Sequence, residues 1–432
     1  MARVTAYFLV MLAARSAFGV TCAGSLVILN PVSELGQQAS IFAGKAGLQP
    51  VAVVADDGTT IEAGSSGFDV IVQIQGDLEQ TARELQGMIP PVVGIFAASS
   101  HDLILADQVT QRLRAHGLSL PAPGDVSEAL LDREKLHAAL PEAYRPAQKV
   151  SDDLAVLVQW SRQQRRWPVV VKPARAFSDE VAVVCKGQAE VHAAFNAIQA
   201  RGAQADFSRR VVVQEFLGEI GWTVTGVRAG DRLHLSGLWR RQRSAHSPLA
   251  PSVDTLELIP RPTPLLDRVE KVLAAVGFNQ GPFRVEFSQA IDREFLVVGV
   301  HRGLSEDGFA MLENLATDSN PIERTFEAQS GQSLGGPDVA VRKKHAAIVS
   351  LATRQAGARA SRAMEPVLRR LKEQARTVVD YGFFHPEFEL LPRSESRHTL
   401  NARVWLLFDS EREMALQISE LLDWEKQGLF ED

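Results

Sequence analysis

The sequence predicts a mixed α/β and α+β chain of several domains, led by a doubly wound parallel sheet. Three observations carry this expectation. Four short apolar runs alternate with helical stretches over the first hundred residues, the pattern of strands joined by crossover helices. A Val-rich pair of runs, ending in Val171-Lys172-Pro173 and resuming at Val181, brackets a short small-residue loop and reads as a hairpin with an exposed tip. Finally, 432 residues exceed what one ordinary core supports, so two to four domains or subdomains are expected.

In order, the chain opens with Arg3 and an apolar run over 7–14 that Arg15 breaks. This is far short of a membrane span. It reads as a leader without function, or an early start codon, rather than an export signal. Leu26-Val27-Ile28-Leu29, Val51-Ala52-Val53-Val54, Val70-Ile71-Val72 and Val92 through Phe96 are the four strands, with helices between them. Ligands in such sheets sit at the carboxyl ends of strands. Pro121-Ala122-Pro123-Gly124 is a breaker cluster and a boundary. A helix over 129–140 carries Lys135, the hairpin follows with Lys172 at the end of its first strand, and 211–217 is the next strand. The alternation over 233–239 predicts another, with Arg240, Arg241 and Arg243 after it. An arginine fork suits a carboxylate or phosphate, and a basic surface loop is the plainer reading. Two neighbouring strands over 281–287 and 295–302, basic helices over 342–376, a strand over 404–408 and an amphipathic helix over 414–424 complete the order.

Composition narrows the class. A net charge of −6 and 45% apolar residues describe a globular chain without the clustered basic excess of a nucleic-acid binder. Cys22 and Cys185 cannot frame a disulfide scaffold, no Cys/His spacing suggests zinc, and a reducing compartment fits. The turn after the first strand, Asn30-Pro31-Val32-Ser33, lacks the Gly-x-Gly-x-x-Gly of dinucleotide enzymes.

Leu105-Ala106-Asp107, Lys135, Lys172-Pro173, Gln214-Glu215-Phe216-Leu217, Glu286 and Arg302 occur in this order. That string resembles the ATP-grasp superfamily, closest to its amino-acid and carboxylate–amine ligase branch, from about Ser25 to about Gly308. The resemblance implies a preATP-grasp domain over 25–122 behind the leader at 1–24. Small and large ATP-grasp subdomains then cover 123–214 and 215–325, and a small C-terminal α+β cap covers 326–432. It further implies ATP and Mg2+ (one ion) as cofactors, and a small-molecule carboxylate and amine as substrates. Neither nucleic acid nor membrane is expected, a homodimer or a partner ligase is, and the location is cytoplasmic.

By the same resemblance, Lys135, Lys172 and Ser178 face the nucleotide phosphates, and Gln214, Glu215, Phe216 and Leu217 form the adenine hinge. Glu286 holds magnesium, Arg302 meets the transferring phosphoryl group, and Arg240, Arg241 and Arg243 face the second substrate. The sequence also departs from the pattern. Ser100 stands in place of an acid, residues 174–181 hold no glycine, and Gly221 replaces the ribose-binding acid. Val298 and Val300 stand where a Glu and a metal-binding Asn are usual. Two readings follow: a ligase forming an acyl phosphate at an eroded ATP/Mg site, and a catalytically inactive relative serving as a metabolite-binding or partner subunit.

Overall fold

The computed structural model describes residues 23–29, 31, 33–55, 68, 70–74, 77–98, 102–120, 130, 132–163, 167–175, 182–201, 209–218, 220–243, 251–257, 264–289, 295–304, 308–330, 333–351, 378–383 and 402–427. The leader, Ser100, the boundary at 121–124, Ser178 and the loop over 176–181 lie outside them.

The first unit is built from β1 (Gly24–Leu29), α1 (Glu34–Lys45), β2 (Leu48–Ala55), β3 (Val70–Ile74), α2 (Leu78–Gln86), β4 (Val92–Ala97) and α3 (Leu103–Ala115). Its sheet has the order β3-β2-β1-β4 and is parallel throughout. Ser33 Oγ accepts from Gly36 N–H, and Asp77 Oδ1 from Glu79 N–H, starting the first two helices with ordinary caps. Alternate residues of β1 enter opposite cores. Val27 and Leu29 pack with Ala82, Leu85, Val109 and Leu113, whereas Leu26 and Ile28 pack with Leu35, Ala39 and Phe326. Burial on both faces makes β1 a continuous apolar run.

The second unit runs through α4 (Arg133–Ala139), a 3-10 turn at Glu142–Tyr144, β5 (Gln148–Ser151), α5 (Leu154–Gln163), β6 (Val169–Pro173), β7 (Val183–Cys185), α6 (Gln188–Arg201) and β8 (Val211–Glu215). The strands form an antiparallel sheet of order β5-β8-β6-β7. The predicted hairpin is present, with Val169 opposite Cys185 and Val171 opposite Val183. The predicted helix over 129–140 begins instead at Arg133. Asp132 Oδ1 accepts from the N–H groups of Glu134 and Lys135 and so caps it there.

The third unit contains β9 (Ile220–Ala229), β10 (Arg232–Arg243), β11 (Pro251–Glu257), α7 (Pro264–Ala275), β12 (Gln280–Gln289), β13 (Phe295–Arg302), α8 (Phe309–Ala316) and α9 (Pro321–Gln329). β14 (His345–Leu351), β15 (Val378–Phe383), β16 (Ala402–Phe408) and α10 (Glu411–Lys426) follow. One antiparallel sheet of order β13-β12-β9-β10-β11-β14-β16-β15 takes in every strand. The C-terminal α+β unit is therefore joined edge to edge with the large sheet through β11 and β14. Two details differ from the sequence reading. β10 runs on through the arginines, because each of them finds a partner on β9 or β11. The basic stretch expected as helix begins with β14, whose apolar residues lie buried between two neighbours. Among the described residues no helix is long and apolar enough to cross a membrane.

One face of the large sheet buries Val224, Leu238, Phe283, Val285, Phe287 and Val300 against α7. On the other face α8 stacks Phe309 on Trp239, ring centroids 4.5 Å apart. Phe326 of α9 meets Phe42 of α1 at 5.9 Å and fastens the first unit to the third.

Candidate functional site

On β6 and β8, Val169, Val171, Val211 and Val213 face the helices. Strand alternation therefore turns Lys172 and Gln214 to the opposite face. Both are buried, Lys172 at 6% exposure and Gln214 at 4%. The next strand residue, Glu215, is tied into the sheet: its N–H donates to Ala147 C=O (2.9 Å) and its Oε1 accepts from Ala147 N–H (2.7 Å). That carboxylate thus acts first as a clasp between β8 and the chain entering β5. Leu217 is buried and Phe216 half-buried, and Gly218 turns the backbone with φ 111°.

Lys135 reaches the same corner from another direction. Arg133 N–H donates to Ala174 C=O (2.8 Å) and Arg133 Nη1 to Pro173 C=O (2.9 Å). Asp132 and Arg175 form an isolated bridge beside them. These contacts hold the first turn of α4 against the end of β6, so exposed Lys135 stands near the strand that carries Lys172. Glu134 is held by Arg210 through two guanidinium contacts, one of them 2.9 Å long. The start of the helix that carries Lys135 is thus tied to the end of the strand that carries Lys172, and Ser178 lies outside the described residues.

Glu286 occupies a different setting. It faces Thr223 across β9 and Gly299 across β13. The register shift after Glu286 leaves Val298 as the extra residue on β13 and sets Gly299 and His301 on the face of Glu286, while Val300 enters the core. Arg284 Nε lies 3.2 Å from Glu286 Oε1, an ionic contact rather than an aligned hydrogen bond. Arg241 Nη1 is 3.8 Å from the same oxygen, and His301 Nε2 is 3.8 Å from Oε2. Burial pushes the Glu286 pKa up, but Arg284, then His301 and Arg241, outweigh it and hold the carboxyl well below its usual range. A β-carbon at Gly299 would lie 2.7 Å from His301 Nε2, so a larger residue there would push the imidazole aside.

The resemblance implies a magnesium ion beside Glu286. Magnesium asks for oxygen ligands in near-octahedral array. Glu286 offers its oxygens to two guanidinium groups and an imidazole instead. Among the described residues no group of three or more His, Cys, Asp or Glu side chains is placed to hold a metal ion. The donor set around Glu286 does not fit a divalent cation.

The predicted arginine fork is divided by strand alternation. Arg241 is largely buried, and its Nε donates to Asp254 Oδ1 (2.8 Å) on β11. Arg240 is exposed and belongs to the opposite face. Arg243 sits across from Pro251 after a register shift. Arg302 closes β13 and meets Asp107 of α3 with both carboxylate oxygens, Nη2 to Oδ1 at 2.7 Å and Nη1 to Oδ2. This bidentate pair links the first unit to the large sheet.

Sequence reading passed over Arg284, Asp254 and Glu313. Arg284 had a usable signal, since it lies two residues from Glu286 on an expected strand and so on the same face. Glu313 is a lone acid in the apolar helix Phe309–Ala316, a pattern that marks a buried carboxyl. It sits over β9 and β10, where its Oε1 accepts from Trp239 Nε1 (2.6 Å) and from Thr225 Oγ1. Burial pushes its pKa up to about 7 against the pull of these two donors. Asp254 carried no signal before β11 was placed beside β10.

No family model matches the chain. It is 25% identical over 223 residues to dapdiamide A synthase from Enterobacter agglomerans, a match covering 49% of this chain and 50% of that relative. The chain thus spans about half the length of the curated relative it matches. Among solved structures it is similar to an L-amino acid ligase from Bacillus licheniformis, with a TM-score of 0.72 and 14% identity, covering 93% of this chain and 98% of that one. It is also similar to an N5-carboxyaminoimidazole synthetase from Staphylococcus aureus complexed with ADP, with a TM-score of 0.62 and 14% identity, covering 94% and 99%.

Proposed function

Because the chain has the fold of ATP-grasp ligases, we propose that it joins a small-molecule carboxylate to an amine at the expense of ATP. One observation carries this reading above others: the likeness to an L-amino acid ligase extends over 93% of the chain. In the proposed reaction the γ-phosphoryl group passes to the substrate carboxylate and ADP leaves. The amine then attacks the acyl carbonyl, an amide bond forms, and inorganic phosphate departs. Such chemistry asks the protein mainly for positioning and for charge opposite the phosphates. Lys172 at the end of β6, and Lys135 on the helix tied to that end, supply that charge. The hinge over 214–217 receives the adenine, with its backbone taking more of the task than the Glu215 carboxylate. Arg302 meets the acyl phosphate, with Asp107 holding it in place. No step is routed through a metal at Glu286. A consumer of ATP of this kind works in the cytoplasm.

A second reading is favoured by the same Glu286 surroundings together with Val298 and Val300: a non-catalytic relative that binds a nucleotide or metabolite, alone or beside a partner ligase. The deciding experiment is ADP release from ATP with the protein amino acids supplied singly and in pairs, with Lys172→Ala as control. Amide formation coupled to ADP release and lost in the variant supports the ligase. Nucleotide binding without turnover for any pair supports the second reading.

A further inference from the structure

One buried carboxylate serves two guanidinium groups in the middle of the large sheet. Arg284 Nε lies 3.2 Å from Glu286 Oε1 on the same strand, and Arg241 Nη1 lies 3.8 Å from that oxygen. Arg241 also donates from Nε to Asp254 Oδ1 at 2.8 Å. It does so from β10, so its guanidinium joins β11 on one side to β12 on the other and crosses β9. Gly221 stands directly across from Arg241 on β9 and brings no side chain into that crossing. On β13 the neighbours of Glu286 are Gly299, directly opposite, and His301, whose Nε2 lies 3.8 Å from Oε2. Glu286 and Asp254 are buried, and the two arginine side chains are only 14% and 12% exposed. Two carboxylates thus face two guanidinium groups, and the four charges balance within the folded sheet.

We propose that Glu286 is a structural counter-ion and not a metal ligand: it is the shared anion that seats Arg284 and Arg241, and with Asp254 it ties β10, β11 and β12 together. This role is independent of the nucleotide reading above, and it reassigns the residue that the resemblance gives to magnesium. The two roles differ in the sign of one effect. A carboxylate kept for a cation is a buried charge without compensation until the cation arrives, so neutralising it in chelator leaves stability unchanged or raises it. Neutralising a counter-ion leaves two guanidinium groups with one carboxylate, and the fold loses stability. Removing Glu286 together with Arg284 restores the balance, because Arg241 and Asp254 remain as a pair.

The test is thermal unfolding of the full chain in EDTA. Glu286→Gln is expected to lower the melting temperature by about 5 °C or more, or to prevent folding altogether. The double variant Glu286→Leu with Arg284→Met exchanges the pair for apolar side chains and is expected to melt within about 2 °C of the wild type. A melting temperature for Glu286→Gln equal to or above that of the wild type overturns the proposal. So does a double variant that melts as low as the single one or fails to fold. A second measurement repeats the wild type and the double variant in MnCl2, where the same response is expected of both. A rise of about 3 °C or more in the wild type that the double variant lacks assigns a metal to Glu286 and overturns the proposal.

Discussion

Replacing Glu313 by glutamine should remove a pH dependence from the stability of this protein. The carboxyl is buried between α8 and the β9–β10 hairpin, and its pKa rises from 4.5 to about 7. In the unfolded chain the same group ionises near 4.5, so between these values the native state keeps a proton that the unfolded state has lost. Stability therefore falls as pH rises through this window: the contribution is fully present below pH 4.5 and lost above about 7. At 1.36 kcal/mol for each pH unit, the loss is about 3 kcal/mol. Glu313→Gln keeps an oxygen for Trp239 Nε1 and Thr225 Oγ1 but cannot ionise. Urea unfolding of both proteins at half-unit intervals from pH 4.5 to 8 measures the effect. The stability difference between variant and wild type should move by about 3 kcal/mol in the variant's favour across that range. A pH-independent shift superimposed on that change of about 3 kcal/mol reports only how the new amide is bonded. Parallel pH profiles for the two proteins would refute the reasoning.

Two further substitutions probe how the units are held. Gly226→Ala places a β-carbon 2.3 Å from His234 C=O on β10 and 2.6 Å from the Phe283 ring on β12, so the β9–β10 pairing must shift and the ring must move. A loss of about 1–3 kcal/mol is expected in the same unfolding assay, and a neutral outcome would show that the His234 carbonyl can give way as well as the ring. Asp107→Ala removes both acceptors of the Arg302 guanidinium in a largely buried contact. A cost of about 3 kcal/mol is expected. It should be accompanied by faster amide hydrogen exchange in α3, and unchanged exchange there would mean that the pair does not fasten the first unit.

Much of the architecture was legible because it rests on local patterns. The four strands of the first sheet are continuous apolar runs, as burial on both faces requires. The hairpin around Lys172 announces itself by β-branched runs and a proline at the turn. The order of Lys135 and Lys172 was legible, and the structure adds how their elements are joined: Asp132 starts the helix where Arg133 can bond the end of β6. The character of Glu286 was not legible. A carboxylate on a strand looks the same whether it waits for a metal or is closed in by arginines. The difference lies in strand pairing across β10, β11 and β13, contacts from thirteen to forty-five residues away in sequence (Arg241 to Asp254, and Arg241 to Glu286). The one-residue irregularity at Val298, which decides whether Val300 or His301 faces the site, is likewise a property of the paired strands. The continuation of β10 through its arginines had the same cause, since residues that read as a basic loop are held as strand by partners on both sides.

The union of β11 with β14 has a consequence for biosynthesis. While the ribosome is still making the residues beyond 345, the large sheet ends at β11, and the backbone groups that will later pair with Val349, Ile348 and Ala347 face outward. An edge of this kind is a template for another strand, whether its own or a neighbour's on the same polysome. Nascent chains released early by truncation or stalling would carry that sticky border permanently. Delivery of β14 covers the β11 edge but passes the open border on to β14, where it stays until β16, made after β15, pairs with both.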